Sequence, residues 1–495
     1  MSKTKIESPL EANRVKELER ILDQVSAKVI QYVAQADQKS GSIGNHIAPL
    51  ELREKIKSDL ELPLEGEGEQ GLMEAFDMVL DNSVVTWHPG FLDKLYASTN
   101  PVGVASDILL SVLNTNSHVF TVSPALTLIE KKTSHEYAKL FGFSGPNSGG
   151  LTMPGGSGSN TTSLTIARSV LYPDTKLEGN GSYKFAVFCS EHAHYSVDKS
   201  AILLGMGSRS VFKVKVNARG EMITEELERA ISKAKEDGYT PLYINATAGT
   251  TVFGSFDPFD EIADVAQRHN LWMHIDGSWG GNIVFSEKQK YKLKGSERAN
   301  SLTVNPHKLL GVPTTCSFLL TPDISVFQQA NSLQAPYLFH NNHDNQENFD
   351  LADATMQCGR RADALKLFLG WKWFGKQGYE QRINHAFEVV NYFCEQLKTR
   401  YNFLLVSDFP PPCMQVCFYY APGGKLANTA SENSEVTRRI AQELHKSGKF
   451  LVDYAPESGP NGRGEFFRVV INSPVVSSET VDSLIAEIEK IAANF

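Results

Sequence analysis

Residues 271–281 read LWMHIDGSWGG. Leu271 to Ile275 are apolar but for one histidine. The run is too short for a capped helix, and its lack of alternation fits a strand covered on both faces. Asp276 ends the run. A carboxylate beside a buried strand is costly unless it is paired or used.

The same arrangement recurs on either side. KFAVFC (184–189) leads into Ser190-Glu191-His192-Ala193-His194. PLYINA (241–246) leads into Thr247-Ala248-Gly249-Thr250-Thr251, and SLTV (301–304) into Asn305-Pro306-His307-Lys308. Helical stretches at 223–236 and 259–268 lie between some of these runs. Strands alternating with helices make an α/β fold with a mainly parallel sheet covered on both faces. Ligands of such sheets bind beyond the carboxyl ends of the strands, so the four polar endings point to one shared site. Within the first ending, His192 and His194 would face opposite sides of an extended segment, and one of them is expected to enter the site.

Pro306 stops its strand because it cannot donate to the ladder. Lys308 then projects at the sheet edge, where lowered basicity makes a lysine a nucleophile. Most lysines in turns are simply solvated, so the tetrapeptide is weak evidence alone. Upstream, MPGGSGSNTT (153–162) precedes the helical run SLTIARSVLY. Its glycines and hydroxyls suit a phosphate at a helix start, although neither the Walker nor the G-x-G-x-x-G spacing is present. The polar loop His340-Asn341-Asn342-His343-Asp344 has no second ligand cluster nearby, and no metal site is assigned.

Three regions follow from the pattern: an N-terminal helical segment (1–107), a large domain (108–376) and a small C-terminal α+β domain (377–495). In the first, residues 11–38 carry Val15, Leu18, Leu22, Val25, Val29 and Val33 at helical spacing. That face packs either on its own subunit or on a second one. The acidic, Gly-rich segment 61–71 reads as a loop. In the last region a helix (380–399) leads to strand-like runs at 402–406, 414–420 and 466–472. A terminal helix starts at Ser477 or Ser478 as N-cap.

The chain has 495 residues, 41% hydrophobic and 21% charged, with a formal net charge of -9. This suits a folded protein of several domains and disfavours nucleic acid as a partner. No apolar run reaches membrane-spanning length, and the first residues lack the apolar core of a signal peptide. Six cysteines without a C-x-x-C pair suggest buried thiols in a reducing compartment, the cytosol.

Taken in order, the phosphate loop, NATAGTT (245–251), HIDGSWGG (274–281) and NPHK (305–308) resemble the group II pyridoxal-phosphate (PLP)-dependent decarboxylases. The resemblance runs from about residue 70 to the end and is closest to the glutamate decarboxylase and cysteine sulfinate decarboxylase branch. It implies the aspartate-aminotransferase type of PLP-dependent transferase fold and an obligate homodimer. It makes Lys308 the Schiff-base lysine, Asp276 the partner of the pyridine nitrogen and His194 the ring that stacks on the cofactor. Gly158, Ser159, Asn305 and His307 would hold the phosphate, with Thr250 near the ring. Tyr337 falls where the family's mobile loop carries a catalytic tyrosine, and Arg468 where the glutamate branch binds a substrate carboxylate. Lys94 stands in place of a substrate-contacting glutamine. His118, with Asn116 beside it, stands in place of an aromatic residue that separates substrates. The implied reaction is α-decarboxylation of an acidic L-amino acid, L-glutamate to 4-aminobutanoate and CO₂. L-Aspartate or L-cysteine sulfinate is the alternative, and another PLP carbon–carbon lyase or an inactive homologue is more distant.

Overall fold

The computed structural model describes residues 14–38, 41–44, 46–333, 349–457 and 462–494. Tyr337 and the His340–Asp344 loop lie outside the described residues. Twelve strands are present among the described residues. They are β1 (Phe91–Leu92), β2 (Gly149–Met153), β3 (Phe185–Ser190), β4 (Val211–Val214), β5 (Thr240–Thr247) and β6 (Trp272–Gly277), followed by β7 (Ser301–Val304), β8 (Ser317–Thr321), β9 (Phe403–Leu405), β10 (Gln415–Tyr420), β11 (Leu451–Pro456) and β12 (Glu465–Val470).

Seven strands form the large sheet in the order β2-β8-β7-β6-β5-β3-β4. It is parallel except at β8, which runs antiparallel to both β2 and β7. The sheet is thus mainly parallel, as expected, with β8 as its antiparallel member. The helix Gly156–Leu171 lies across β5, β6 and β7. The helices Thr224–Glu236 and Phe259–His269 pack against β5 as part of a different core cluster. Side chains such as Phe188, Ile244 and Leu302 are fully buried, and burying groups of this size stabilises the fold by about 1.5–3 kcal/mol each.

A second, five-stranded sheet has the order β1-β11-β12-β10-β9. Its edge strand β1 comes from the N-terminal segment and pairs with β11 in parallel. The long helix Ala364–Lys398, non-helical at Gly375, bridges the two regions. Ser477 caps the terminal helix through a capping box with Thr480.

Two local expectations change, and a third is met in part. The segment 61–71 is not all loop, since a helix spans Gly68–Asp81. The helix Gly156–Leu171 begins inside the Gly-Ser stretch, because Gly155 at φ 88° makes the turn into it. The helix Arg14–Ala36 rests partly on its own subunit: Val25, Val29 and Val33 are half-buried and Lys28 pairs with Asp77 (2.6 Å), while Val15, Leu18 and Leu22 stay exposed. Among the described residues no helix is long and apolar enough to cross a membrane. All six cysteines are free, five of them buried and Cys358 exposed.

Candidate active site

On β6 the side chains alternate, which puts Trp272, His274 and Asp276 on one face and Met273 and Ile275 on the other. The first three meet the helix Gly156–Leu171 or the neighbouring strand. Trp272 Nε1 donates to Ser301 Oγ (2.9 Å), and Asn160 Nδ2 donates to Asp276 Oδ2 (2.7 Å). The Ser278 N–H donates to Asp276 Oδ1 (3.0 Å). Burial opposes a charge on Asp276. The hydrogen bonds from Ser278 and Asn160, with His194 and Lys308 nearby, outweigh it and hold the carboxyl below its ordinary range.

Asp276 opens on a cavity of about 200 Å³ beyond the ends of β3, β5, β6 and β7, with His194, Thr247, Asn305 and Lys308 on its walls. No hydrogen bond or ion pair from a described residue reaches Lys308 Nζ. Burial lowers its pKa, the Asp276 charge resists that, and the Arg468 charge adds to it. His194 is held by Ser196, whose backbone N–H donates to Nδ1 (3.2 Å). Burial lowers its pKa too. His307 Nδ1 donates to Cys316 O (2.7 Å), and burial pushes its pKa down to about 4.

The walls fit pyridoxal phosphate. Lys308 offers a free amine for its aldehyde, and Asp276 a carboxylate for its pyridine nitrogen. The start of the helix Gly156–Leu171 offers backbone N–H groups for its phosphate. Asn305 Oδ1 and Thr247 Oγ1 are buried there without protein partners. A Cβ at Gly156 would stand 2.3 Å from Ser278 Oγ, so only glycine leaves the cradle open.

Lys308, Asp276, His194, Asn305 and His307 are thus brought together. Gly158 and Ser159 are not in this lining; Gly156 and Ser157 stand there instead. Gly158 faces a separate pocket with Met153 and Met356, and the Ser159 hydroxyl meets Ser317 Oγ at 2.9 Å. The Thr250 hydroxyl accepts from the Ser255 N–H (3.1 Å), while Thr247, Gly249 and Thr251 face the cavity. Both His192 and His194 line it, because residues 191–193 turn rather than extend. Strand alternation therefore misled the expectation of a single histidine.

Among the substrate-side residues, Arg468 is buried behind Thr251. It donates to Thr251 O (3.1 Å) and Asp93 O (3.0 Å) and pairs with Asp453, its cross-strand neighbour on β11. Lys94 reaches Asp453 Oδ2 (3.4 Å) and Asp93 Oδ1 (3.1 Å). None of Arg468, Lys94, Asn116 and His118 lines this cavity. Asn116 Oδ1 accepts from the Arg360 N–H (2.8 Å), and His118 Nδ1 lies 3.1 Å from Asn116 O. Reading the sequence alone overlooked Asn160 and His274. The available signal was a histidine inside an apolar strand, since a buried polar group requires a partner.

Residues 49–421 match the pyridoxal-dependent decarboxylase conserved domain. The chain is 47% identical over 496 residues to the L-aspartate decarboxylase dtxS4 of Metarhizium robertsii, across 97% of each chain. It is 37% identical over 468 residues to the cysteine sulfinic acid decarboxylase of Homo sapiens, across 93% of this chain and 94% of that one. The crystal structure of mouse CSAD superposes with a TM-score of 0.90 at 35% identity, covering 97% of this chain and 99% of the other.

Proposed function

The chain belongs to the pyridoxal-dependent decarboxylase family, and from that premise we propose that it removes the α-carboxyl group of a short acidic L-amino acid, L-aspartate before L-glutamate. The observation that carries the acidic substrate is Arg468, a buried guanidinium one residue behind the cavity wall, where it donates to the carbonyl of the lining residue Thr251 (3.1 Å). A buried arginine beside a ligand cavity suits an anion, which it holds through two parallel hydrogen bonds. The similarity to an L-aspartate decarboxylase and to cysteine sulfinic acid decarboxylases supports the shorter chain length. Aspartate and cysteine sulfinate both carry their second anion one methylene from Cα, whereas glutamate carries it two away. The L-glutamate expected from the motifs gives way to these.

Pyridoxal phosphate, when bound, supplies the electron sink for the pair left behind as CO₂ departs. In this proposal Lys308 Nζ holds the cofactor, and the Asp276 carboxylate keeps a proton on the pyridine nitrogen. The His194 ring covers one face. Asn305, His307 and the helix start at Gly156 take the phosphate. Arg468 grips the side-chain anion, releasing Asp453, while Lys94 adds a second cation. That grip would fix rotation about the substrate and hold its α-carboxyl group in one orientation within the cavity. Tyr337, as the resemblance implies, returns a proton to Cα.

One methylene changes transition-state binding by roughly 10- to 200-fold. L-Aspartate should therefore exceed L-glutamate in kcat/KM by about tenfold or more. Arg468→Lys keeps the charge but loses the fork, and KM for the acid should rise about tenfold with kcat changed less. Steady-state CO₂ release decides both. Equal use of glutamate, or an unchanged KM in Arg468→Lys, would count against this reading.

The homodimer implied by the resemblance belongs to the same proposal. It is supported by Val15, Leu18 and Leu22, exposed on Arg14–Ala36, and by exposed Val112 and Leu113 on a second helix. Exposed large apolar side chains on two helices favour an interface. Sedimentation should give twice the chain mass of 54.7 kDa; a monomer at working concentration would exclude the dimer.

A further inference from the structure

Behind Asp276 lies a group of buried polar side chains that the decarboxylation reading does not use. Asn160, Ser163, Tyr243, His274 and Ser301 are each no more than 2% exposed, so their hydrogen bonds must be met by one another. Asn160 Nδ2 lies 2.7 Å from Asp276 Oδ2 and 3.0 Å from Ser196 Oγ. A carboxylate only accepts, so the NH₂ end of the amide must face Asp276. The oxygen end then faces His274 Nε2 at 3.0 Å, and that nitrogen must donate.

The direction of the remaining bonds follows. Ser301 Oγ accepts from Trp272 Nε1 (2.9 Å), lies 2.8 Å from Ser163 Oγ and lies 2.8 Å from His274 Nδ1. Tyr243 OH donates to Ser163 Oγ (3.0 Å). A hydroxyl has one donor and two acceptor positions. The set closes when Tyr243 donates to Ser163, Ser163 to Ser301, Ser301 to His274 Nδ1, and His274 Nε2 to Asn160. Burial keeps His274 neutral, with its pKa down to about 4. On the other branch, Ser196 Oγ accepts from Asn160, which leaves its O–H to donate to His274's counterpart across the site, His194, at Nδ1 (2.8 Å). The Ser196 N–H already donates to that same nitrogen, so His194 carries its proton on Nε2.

We propose that Asn160 is a positioning residue that locks Asp276 and His194 into one fixed pair, and that the buried line from Tyr243 through His274 sets the orientation of its amide. One amide nitrogen serves the carboxylate that meets the edge of the cofactor ring and, through Ser196, the histidine that meets its face. The arrangement keeps Asp276 an acceptor and keeps His194 from turning its protonated nitrogen away from the cavity.

The test uses PLP-loaded full-length protein. With ¹⁵N-labelled pyridoxal phosphate, the wild-type ring-nitrogen resonance should lie in the protonated range. In Asn160→Leu it should move toward the unprotonated range. Cofactor release should quicken and kcat should fall by about 10- to 100-fold, the scale for outer-shell partners, while KM for the amino acid changes little. His274→Gln, which keeps an N–H toward Asn160 Oδ1, should retain the wild-type resonance, whereas His274→Phe should lose it. An Asn160→Leu protein with the wild-type resonance and release rate would overturn the proposal. Should the variants not fold, imidazole ¹⁵N shifts of the wild-type holoenzyme still decide. His274 protonated on Nε2 alone supports the line of bonds, and His274 protonated on Nδ1 overturns it.

Discussion

Lys308→Ala is expected to yield a folded protein without turnover. The side chain makes no hydrogen bond or ion pair with any described residue, so its removal costs little structure. Its amine is nevertheless what the cavity is built around. It stands at the end of β7 with its pKa lowered by burial, which leaves more of it unprotonated and nucleophilic at neutral pH. Loss of a covalent attachment point should reduce kcat by about three orders of magnitude or more. The visible absorbance of the bound cofactor should vanish, while the thermal unfolding of the apoprotein stays near wild type. Lys308→Arg separates charge from chemistry. A guanidinium keeps the positive charge beside Asp276 but does not deprotonate, so it too should be inactive. Residual turnover in either variant near the wild-type rate would remove Lys308 from the centre of the account.

Asp276→Asn should be nearly as damaging for a different reason. The substitution keeps the shape and removes the charge that holds a proton on the pyridine nitrogen. Without that proton the ring is a poor acceptor of the electrons left by CO₂, and kcat should drop by about a thousandfold. The cofactor should still bind through Lys308 and the helix start, so its absorbance persists in altered form. Single-turnover CO₂ release with the cofactor content measured in parallel separates the two effects. A loss explained entirely by missing cofactor would make Asp276 a binding residue only. In the wild-type protein the hydrogen bonds from Ser278 and Asn160 hold the carboxyl below its ordinary range, so it stays ionised through the working pH range. The acid side of the rate profile should therefore belong to other groups.

The residues legible in the sequence were those that end strands. Asp276, Asn305, His307 and Lys308 each follow an apolar run directly, and sheet topology carries every such ending to the same edge. The residues that escaped are set by contacts between elements far apart in the chain. Asn160 and His274 are 114 residues apart and meet because a helix lies across β6. The start of that helix was obscured by its glycines, which read as loop, and Gly149 and Gly150 hid β2 in the same way. Strand β11 is only partly buried, so its apolar pattern is faint. Without it the Asp453 partner of Arg468 was invisible, and Arg468 read as a cation awaiting an anion rather than one already paired. The turn at 191–193 defeated a rule that holds only for extended chain, which is how His192 came to be left out.

The central claim is α-decarboxylation of a short acidic amino acid, and L-aspartate labelled with carbon-14 in its α-carboxyl group tests it most directly. The PLP-loaded protein should release the label as CO₂ and form an equal amount of β-alanine. Aspartate labelled in its side-chain carboxyl group should leave its label in that product. Release of the side-chain label, or no release from either substrate by protein that shows bound cofactor, would contradict the account.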